Sequence, residues 1–149
     1  MTAALHLAKP ENLERLIALS GAFAEELGIP SEEDTRRAAL KPLLEGSPHG
    51  AAYLVGPPRA PVGYAVVSFG WSLEFGGLDG LLDELYIRPP VRGRGMASEV
   101  LNALPKALAQ AGLRALHLEV DREDTKTQNL YRRAGFSMRE RYALMSRPL

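Results

Sequence analysis

Residues 81–112 place a strand, a glycine-rich turn and a helix in direct succession. The segment "LLDELYI" (81–87) predicts a strand, and "PPVRGRG" (89–95) ends it, because proline cannot continue the ladder of a central strand. A helix comes next, bounded by Gly112 and marked by apolar residues at helical spacing: Met96, Val100, Leu101, Leu104 and Leu108. The free N–H groups and the positive dipole end of such a helix face the preceding loop, so this order predicts an anion site.

The patterns in the rest of the chain predict a mixed α/β fold whose first half is mostly antiparallel. The predicted strands are residues 5–9, 51–56, 62–71, 81–87 and 115–120, with terminal β structure after Phe136. The predicted helices are residues 11–28, 31–44, 96–111 and 125–135, and a capping box at Ser31 opens the second of them. Residues 74–80, "EFGGLDG", are predicted to form a loop. Strands and helices that alternate in this way are typical of a mixed sheet.

The composition is that of an ordinary globular chain, and it limits the possible partners. A length of 149 residues with 46% hydrophobic residues predicts one domain over residues 1–149. The formal net charge is zero, so we expect no general affinity for nucleic acid. The chain has no cysteine, which excludes disulfides, thiolate metal ligands and a cysteine nucleophile. No apolar segment reaches membrane-spanning length and no histidine–carboxylate spacing indicates a metal, so we expect a cytoplasmic protein without a metal or a membrane partner.

Several anion-binding loops share the glycine pattern of residues 92–98 and differ in the residues after the last glycine. A Walker loop needs a lysine and a hydroxyl there, whereas Met96 and Ala97 occupy these positions here, which excludes it. A dinucleotide-binding turn needs a third glycine where Ser98 stands, and it begins directly after its strand, so the pattern disfavours this alternative too. A plain turn with solvated arginines explains the segment equally well when it is taken alone.

Two motifs in the second half of the chain resemble those of one enzyme family. Arg92 to Ala97 matches the pattern R/Q-x-x-G-x-G/A, which is the pyrophosphate loop of the GCN5-related N-acetyltransferase (GNAT) family. "DELYIRPPVRGRGMASEVL" (83–101) is similar to the family's whole strand, loop and helix. "TQNLYRRAGF" (127–136) resembles its later signature, a helix that ends in Leu-Tyr, three residues and Gly-Phe. The two motifs have the family's order and spacing, and the resemblance covers residues 81–136.

The resemblance implies a fold and a co-substrate. It implies the GNAT fold, in which about four helices flank a mixed, mostly antiparallel twisted sheet with two splayed strands at the cofactor site. Acetyl-coenzyme A (acetyl-CoA) would lie between those strands, with its pantetheine arm paired to the backbone of Leu85, Tyr86 and Ile87. The pyrophosphate would bind to the loop and the first helical turn, whose residues are Arg92, Gly93, Arg94, Gly95, Met96, Ala97 and Ser98.

The resemblance also implies direct transfer of an acetyl group to a primary amine of a small molecule or peptide, in a ternary complex. Glu84 precedes the cofactor-pairing residues on the same strand and is the predicted general base, with His117 and Glu119 as alternatives. Tyr131 holds the place of the family's tyrosine in the later motif and is the predicted acid for the leaving thiolate. An N–H group from the strand around residues 85–87 would stabilise the oxyanion.

Two hypotheses about function remain open from the sequence. One is the acetyltransferase, and the other is a non-catalytic module on the same fold that binds acetyl-CoA or CoA as a sensor or partner domain. Acidic residues close to Trp71 and Phe75 favour a cationic amine as the acceptor: Glu74, Asp79, Asp83 and Glu84. The segment "WSLEFGG" (71–77) is also compatible with a lid or a dimer contact, and the family implies a possible homodimer.

Overall fold

The structure, a computed structural model, describes residues 4–149 and contains one five-stranded sheet. This sheet lies in a first compact unit that extends to Glu119, and its strand order is β1-β2-β3-β4-β5. The strands are β1 (Leu5–Leu7), β2 (Gly50–Val55), β3 (Gly63–Ser72), β4 (Gly77–Ile87) and β5 (Ala115–Leu118). Strands β1 to β4 pair antiparallel with their neighbours, and β5 pairs with β4 in parallel. The mixed, mostly antiparallel sheet predicted from the sequence is therefore confirmed.

Three α-helices belong to the same unit in the described part of the chain: α1 (Leu13–Leu27), α2 (Glu33–Leu44) and α3 (Met96–Gln110). Helix α1 buries Leu16, Ile17 and Ser20, which recur on one face at helical spacing. It ends where Gly28 adopts a φ of 67°, a left-handed conformation that glycine accepts without a steric penalty.

Different helices cover the two faces of the sheet. One core joins α1, α2, strands β2 to β4 and the residue after β1 through the buried residues Ala8, Leu16, Ile17, Leu40, Leu44, Ala52, Leu54, Tyr64, Val66 and Tyr86. Helix α3 contacts β1 and β4 and buries Val100, Leu101 and Leu104. In β3, Tyr64 and Val66 belong to the first core, because side chains two residues apart share a face of the sheet. The face covered by α1 and α2 is the one that carries the candidate site.

The second compact unit, residues 120–149, contains the helix α4 (Thr125–Arg133). Asp124 caps its first turn by accepting hydrogen bonds from the backbone N–H of Thr127 at 3.0 Å and from its hydroxyl at 2.6 Å. Of the helices in residues 4–149, none is long and apolar enough to cross a membrane. The single-domain organisation stays a prediction.

The predicted loop at residues 74–80 is wrong at its C-terminal half, because β4 begins at Gly77. Gly80 lies inside this strand, where an added Cβ would sit 2.9 Å from a methyl group of Leu113 and 3.1 Å from one of Val67. Its glycine is required by close packing within the sheet rather than by a turn.

The capping box at Ser31 is also wrong, since Glu32 is the N-cap residue of α2. The Ser31 hydroxyl lies one residue too early and instead accepts a hydrogen bond from Arg36 at 3.0 Å.

The β structure predicted after Phe136 is not formed, and residues 136–149 contain no strand. A turn at Arg139 to Tyr142, closed by a 3.2 Å backbone hydrogen bond, interrupts the alternation. The guanidinium groups of Arg139 and Arg141 lie 6.0 and 5.9 Å from the centre of the Tyr142 ring.

Candidate active site

The glycine-rich loop leads directly into the first turn of α3. Gly93 and Gly95 both have a φ of 79°, and Gly95 is the N-cap residue of the helix. A Cβ added at either glycine would meet no protein atom within 4 Å, so the space beside the backbone is open. The first N–H groups of α3 have no partner within the helix, and the positive end of its dipole lies at the same place. These features fit a pyrophosphate group.

The two arginines of the loop have different environments. Arg92 donates from Nε to the Ile87 carbonyl at 2.8 Å and from Nη2 to both carboxylate oxygens of Glu26 at 2.7 and 2.9 Å. Its guanidinium also lies 5.6 Å from the centre of the Tyr86 ring. Arg94 is exposed and forms no hydrogen bond or ion pair within residues 4–149. Arg92 therefore fastens the loop to β4 and α1, and Arg94 remains available to an incoming anion.

Among the described residues, 4–149, the second half of β4 has a neighbouring strand on one side only. Pairing with β5 runs from Asp79 to Leu82 of β4, whereas pairing with β3 continues to Ile87. The N–H of Arg88 donates to Val62 beside β3, and the Ile87 carbonyl accepts from Arg92, so this carbonyl points away from β3. In a strand, the N–H and carbonyl groups of residues two apart point to the same side. The N–H and carbonyl of Leu85 therefore point away from β3, like the carbonyl of Ile87, towards the unpaired edge of β4. The backbone of Tyr86 faces β3.

A β-bulge brings Glu84 onto the face covered by α1 and α2. Val66 of β3 pairs with Glu84 and Val67 pairs with Leu82, which leaves Asp83 without an opposite residue. Bulges redirect the side chains next to them, and here Glu84 shares a face with Tyr64 of β3. The buried Tyr64 hydroxyl donates a hydrogen bond of 2.6 Å to Glu84 Oε1.

Burial is the main influence on the ionisation of Glu84, and it raises the pKa of this carboxyl group. The negative charge of Asp83 raises this pKa further, while the Tyr64 hydrogen bond and the positive charge of Arg36 lower it. The hydroxyl in turn has its pKa raised, by burial first and then by the carboxylate beside it. Tyr64 therefore remains protonated as the donor, and Glu84 is a stronger base than an exposed carboxylate.

Glu84 opens into a cavity of about 290 Å³ between α1, α2 and the sheet. Its apolar wall consists mainly of Phe23, Ala24, Leu27, Ile29, Pro30, Ala39, Leu40, Leu43, Val66 and Val67. Its polar groups are Ser20, Ser31, Arg36, His49, Ser68, Asp83 and Glu84. Such a largely apolar cavity with a few convergent polar groups is typical of a small-molecule site.

The two alternative bases occupy other surroundings. His117 Nε2 lies 3.1 Å from Asp79 Oδ2, and its ring packs against Phe75 with centroids 5.6 Å apart. Glu119 is exposed and lies just after the last residue of β5. Neither of them lines the cavity beside Glu84.

Of the acidic cluster predicted to receive a cationic amine, the structure brings only Asp83 and Glu84 to the cavity. Asp79 contacts His117 instead. Trp71 is 74% exposed near the β3–β4 turn, so the expected aromatic lining is wrong: Phe23 and not Trp71 or Phe75 lines the cavity. The long antiparallel pairing of β3 and β4 carries Trp71 away from Glu84 along the sheet.

Tyr131 belongs to the second unit, where it lies on α4 and packs edge-on against Phe136 with ring centroids 6.1 Å apart. Burial, together with the smaller effect of the negative charge of Asp124, raises the pKa of its hydroxyl. Tyr131 is therefore protonated at neutral pH, as a proton donor must be.

Comparison with known proteins assigns the chain to a family. The model of the acetyltransferase (GNAT) family matches residues 20–136. The chain belongs to this family. It is therefore an acetyl-CoA-dependent acyltransferase, and the loop that resembles the family's pyrophosphate motif lies within the matched residues. None of the curated protein sequences matches the chain.

Solved structures agree with this assignment. An integron cassette protein from the mobile metagenome of Cole Harbour Salt Marsh is 30% identical, with a TM-score of 0.84 over 96% of this chain and 89% of its own. A protein from Arthrobacter sp. FB24 described as an acetyltransferase is also 30% identical, with a TM-score of 0.83 over 98% of this chain and 96% of its own. The aminoglycoside N-acetyltransferase AAC(6')-Iy, solved with CoA, shares the fold at 18% identity, with a TM-score of 0.81 over 99% of this chain and 95% of its own.

Two polar residues that influence the pKa of Glu84 were not predicted from the sequence. Tyr64 lies in an apolar strand, and the one available signal was that a buried tyrosine hydroxyl needs a hydrogen-bond partner. No feature of the sequence marks Arg36 as a site residue. It is one of two adjacent arginines in a predicted helix, where a solvent-exposed arginine is expected.

Proposed function

We propose that this GNAT enzyme transfers the acetyl group of acetyl-CoA to a primary amine of a small molecule or peptide, by direct attack in a ternary complex. The observation that carries the proposal is the position of Glu84. Its carboxylate lines the cavity, and the peptide groups of the next residue, Leu85, face the open edge of β4, where the other substrate would lie. A base beside the amine and a backbone edge beside the thioester are what direct transfer requires.

The co-substrate would be held mainly by backbone groups. The N–H and carbonyl of Leu85 and the N–H of Ile87 would pair with the pantetheine arm, as a strand pairs with an added strand. The N–H groups from Gly93 to Ser98 would donate to the pyrophosphate, and the exposed Arg94 would add a charge-assisted hydrogen bond. Arg92 would act by holding the loop in place, because its donors already bind Glu26 and the Ile87 carbonyl.

Glu84 would take the proton that the acceptor must lose. A free alkylamine has a pKa of ~10.4 and is an ammonium at neutral pH, so it must be deprotonated before it can attack. The carboxylate takes the first proton of the ammonium, the neutral nitrogen forms a bond to the acetyl carbon, and the carbon–sulfur bond breaks. The nitrogen loses its second proton to water as the amide forms, the thiolate takes up the proton of Tyr131, and water restores the Tyr131 hydroxyl. A carboxyl group whose pKa is raised towards neutrality accepts a proton more effectively than an ordinary one. Direct attack is favoured because the chain has no cysteine to carry the acetyl group.

Tyr131 would donate the proton that the departing CoA thiolate needs. We expect Tyr131→Phe to lower kcat by about 10²-fold, the lower end of the range for a general acid. Acetyl-CoA affinity should stay within a factor of two or three, because the ring is retained. Stopped-flow thiol release and equilibrium titration with acetyl-CoA measure the two quantities. Normal turnover in this variant would remove Tyr131 from the mechanism.

Tyr64 would position the Glu84 carboxylate and stabilise its charge. In Tyr64→Phe the hydrogen bond that lowers the pKa of Glu84 is lost, so that pKa rises. The acidic limb of the kcat/KM profile, which reports ionisation of the base, should therefore move to higher pH. Tyr53→Phe, which removes a half-buried hydroxyl from β2, is the matched control and should leave the limb in place. An unchanged limb in Tyr64→Phe would show that the carboxylate that titrates in catalysis is not Glu84.

A panel of primary amines separates the enzyme from a non-catalytic binding module. Thiol release from acetyl-CoA is monitored with each amine, and the N-acetyl product is identified by mass spectrometry. Acetylation of at least one amine at a rate above that of hydrolysis is the expected result. Tight acetyl-CoA binding without transfer to any amine would favour the module.

A further inference from the structure

The guanidinium of Arg36 lines the cavity, and some of its hydrogen-bond donors have no acceptor among residues 4–149. Its Nη1 donates to the Ser31 carbonyl at 3.2 Å and to the Ser31 hydroxyl at 3.0 Å. Its Nε is buried and has no hydrogen-bond partner, and within residues 4–149 its Nη2 forms no hydrogen bond either. Nε is shut off from solvent, whereas Nη2 remains accessible, so Nη2 is the donor that an acceptor in the cavity can reach.

The backbone of α1 makes room for this guanidinium at Gly21. A Cβ at position 21 would lie 2.8 Å from Arg36 Nη2 and 3.3 Å from Cζ, so the guanidinium would have to shift to accommodate it. Gly21 has ordinary helical geometry inside α1, where glycine is less stable than alanine. Glycine at position 21 therefore does not stabilise the helix. It allows the Arg36 guanidinium to lie against the backbone of α1.

The charges of the cavity are separated rather than paired with one another. Arg36 forms no salt bridge with Asp83 or Glu84, although its charge is near enough to act on Glu84. The cavity thus presents a cation and carboxylates as separate groups, and Phe23 and Leu27 contribute to an apolar wall beside them. A ligand that complements this arrangement carries an ammonium, a carboxylate and an apolar group within about 290 Å³.

We propose that Arg36 binds the carboxylate of the acceptor, and that the acceptor is a small α-amino acid with an apolar side chain. This inference rests on the proposed acetyl transfer, and it adds the substrate class. The amino group lies towards Glu84, the carboxylate accepts hydrogen bonds from the Arg36 guanidinium, and the side chain lies against the apolar wall. A polycationic acceptor leaves the guanidinium unsatisfied and is repelled by its charge. The products are the N-acetyl amino acid, CoA and the proton taken up by Glu84.

The test compares amino acids with the amines that lack only the carboxylate. The pairs are L-leucine and 3-methylbutylamine, L-methionine and 3-(methylthio)propylamine, and L-phenylalanine and 2-phenylethylamine. In the wild-type enzyme, kcat/KM for at least one amino acid should exceed that for its amine by about 10- to 100-fold, the effect expected of hydrogen bonds between charged groups.

Two variants test whether Arg36 causes the preference for the amino acid over its amine. In Arg36→Met the ratio of kcat/KM for the amino acid to kcat/KM for its amine should fall to about one, because both acceptors experience the altered Glu84 but only the amino acid loses a hydrogen-bond partner. Arg37→Met is the matched control: it removes the same charge one residue further on, from a side chain that pairs with Glu14 and Glu33 outside the cavity. Gly21→Ala should retain or increase the thermal stability of the enzyme and reduce the preference, because it displaces the guanidinium without removing it.

The outcomes separate this inference from the proposed function. Wild-type enzyme that acetylates the amines as well as the amino acids, or only amines without a carboxylate, contradicts the amino-acid acceptor and leaves acetyl transfer intact. Equal losses on both members of a pair in Arg36→Met also contradict it, as does a full preference in Gly21→Ala. Transfer to no amine of any kind contradicts the proposed function itself, and the inference with it.

Discussion

Replacement of Glu84 by glutamine is expected to lower kcat/KM for the acceptor amine by about 10²- to 10⁴-fold, the contribution of a general base. Glutamine retains the size of the side chain and an oxygen that can accept the Tyr64 hydrogen bond, but it cannot take a proton. The affinity for acetyl-CoA should be unchanged, since the carboxylate faces the cavity and not the open edge of β4. Steady-state kinetics with saturating acetyl-CoA and calorimetric titration with CoA measure these effects.

The same substitution should not destabilise the fold, and this result separates a catalytic loss from misfolding. Because burial raises the pKa of Glu84, the folded state holds the proton more tightly than the unfolded chain does. The free energy of unfolding therefore falls as the pH rises through the pKa of the folded state. Glutamine removes the cost of the buried charge, so the melting temperature of Glu84→Gln at neutral pH should equal or exceed that of the wild type.

Asp83→Asn is the control for Glu84→Gln. It neutralises the adjacent carboxylate, which is exposed on the bulge and is not bonded to Tyr64. Its effect on kcat should stay below about tenfold, because a nearby charge tunes a base without replacing it. Equal losses in the two variants would mean that the negative charge of the cavity, and not proton transfer to Glu84, accounts for the rate.

Replacement of Gly95 by valine should weaken acetyl-CoA binding by more than about 100-fold, since the pyrophosphate would lose two or more charge-assisted hydrogen bonds. A β-branched residue does not adopt a φ of 79° readily, so the loop should rearrange and its N–H groups lose their alignment. The new side chain would also fill the open space where the pyrophosphate would approach the backbone. Calorimetric titration with CoA gives the loss directly.

Gly112→Val provides a control with the same backbone strain at the other end of α3. Gly112 has a φ of 103°, and a Cβ added there also meets no atom within 4 Å. The two variants should lose similar stability, about 1–2 kcal/mol for a left-handed non-glycine residue, but Gly112→Val should bind CoA normally. If Gly95→Val binds CoA as tightly as this control does, residues 92–98 are only a turn.

The sequence predicts the parts of the fold and of the site that depend on neighbouring residues. The helix face of α1, the stop at Gly28 and the glycine turn before α3 can be predicted from local periodicity and from backbone conformations that only glycine adopts easily. Gly80 illustrates where this local information fails. Its role depends on Leu113 and Val67, which are distant in sequence, so it was mistaken for a loop residue.

The polar residues around Glu84 also could not be predicted from neighbouring residues in the sequence. Tyr64 reaches Glu84 because the β3–β4 register shifts by one residue at Asp83. No local pattern in "LLDELYI" predicts that bulge. Arg36 comes from a helix 48 positions before Glu84 in the chain, and only the packing of α2 against α1 and β2 reveals that it shares the cavity. Residues whose roles depend on register and packing cannot be assigned from the sequence alone.

The most direct test of the proposed reaction is the initial-velocity pattern of the wild-type enzyme, with acetyl-CoA and an accepted amine varied together. Attack within a ternary complex predicts double-reciprocal lines that intersect, with thiol and N-acetyl product formed in equal amounts. Parallel lines would show that the acetyl group is first transferred to the protein, and they would contradict direct attack assisted by Glu84.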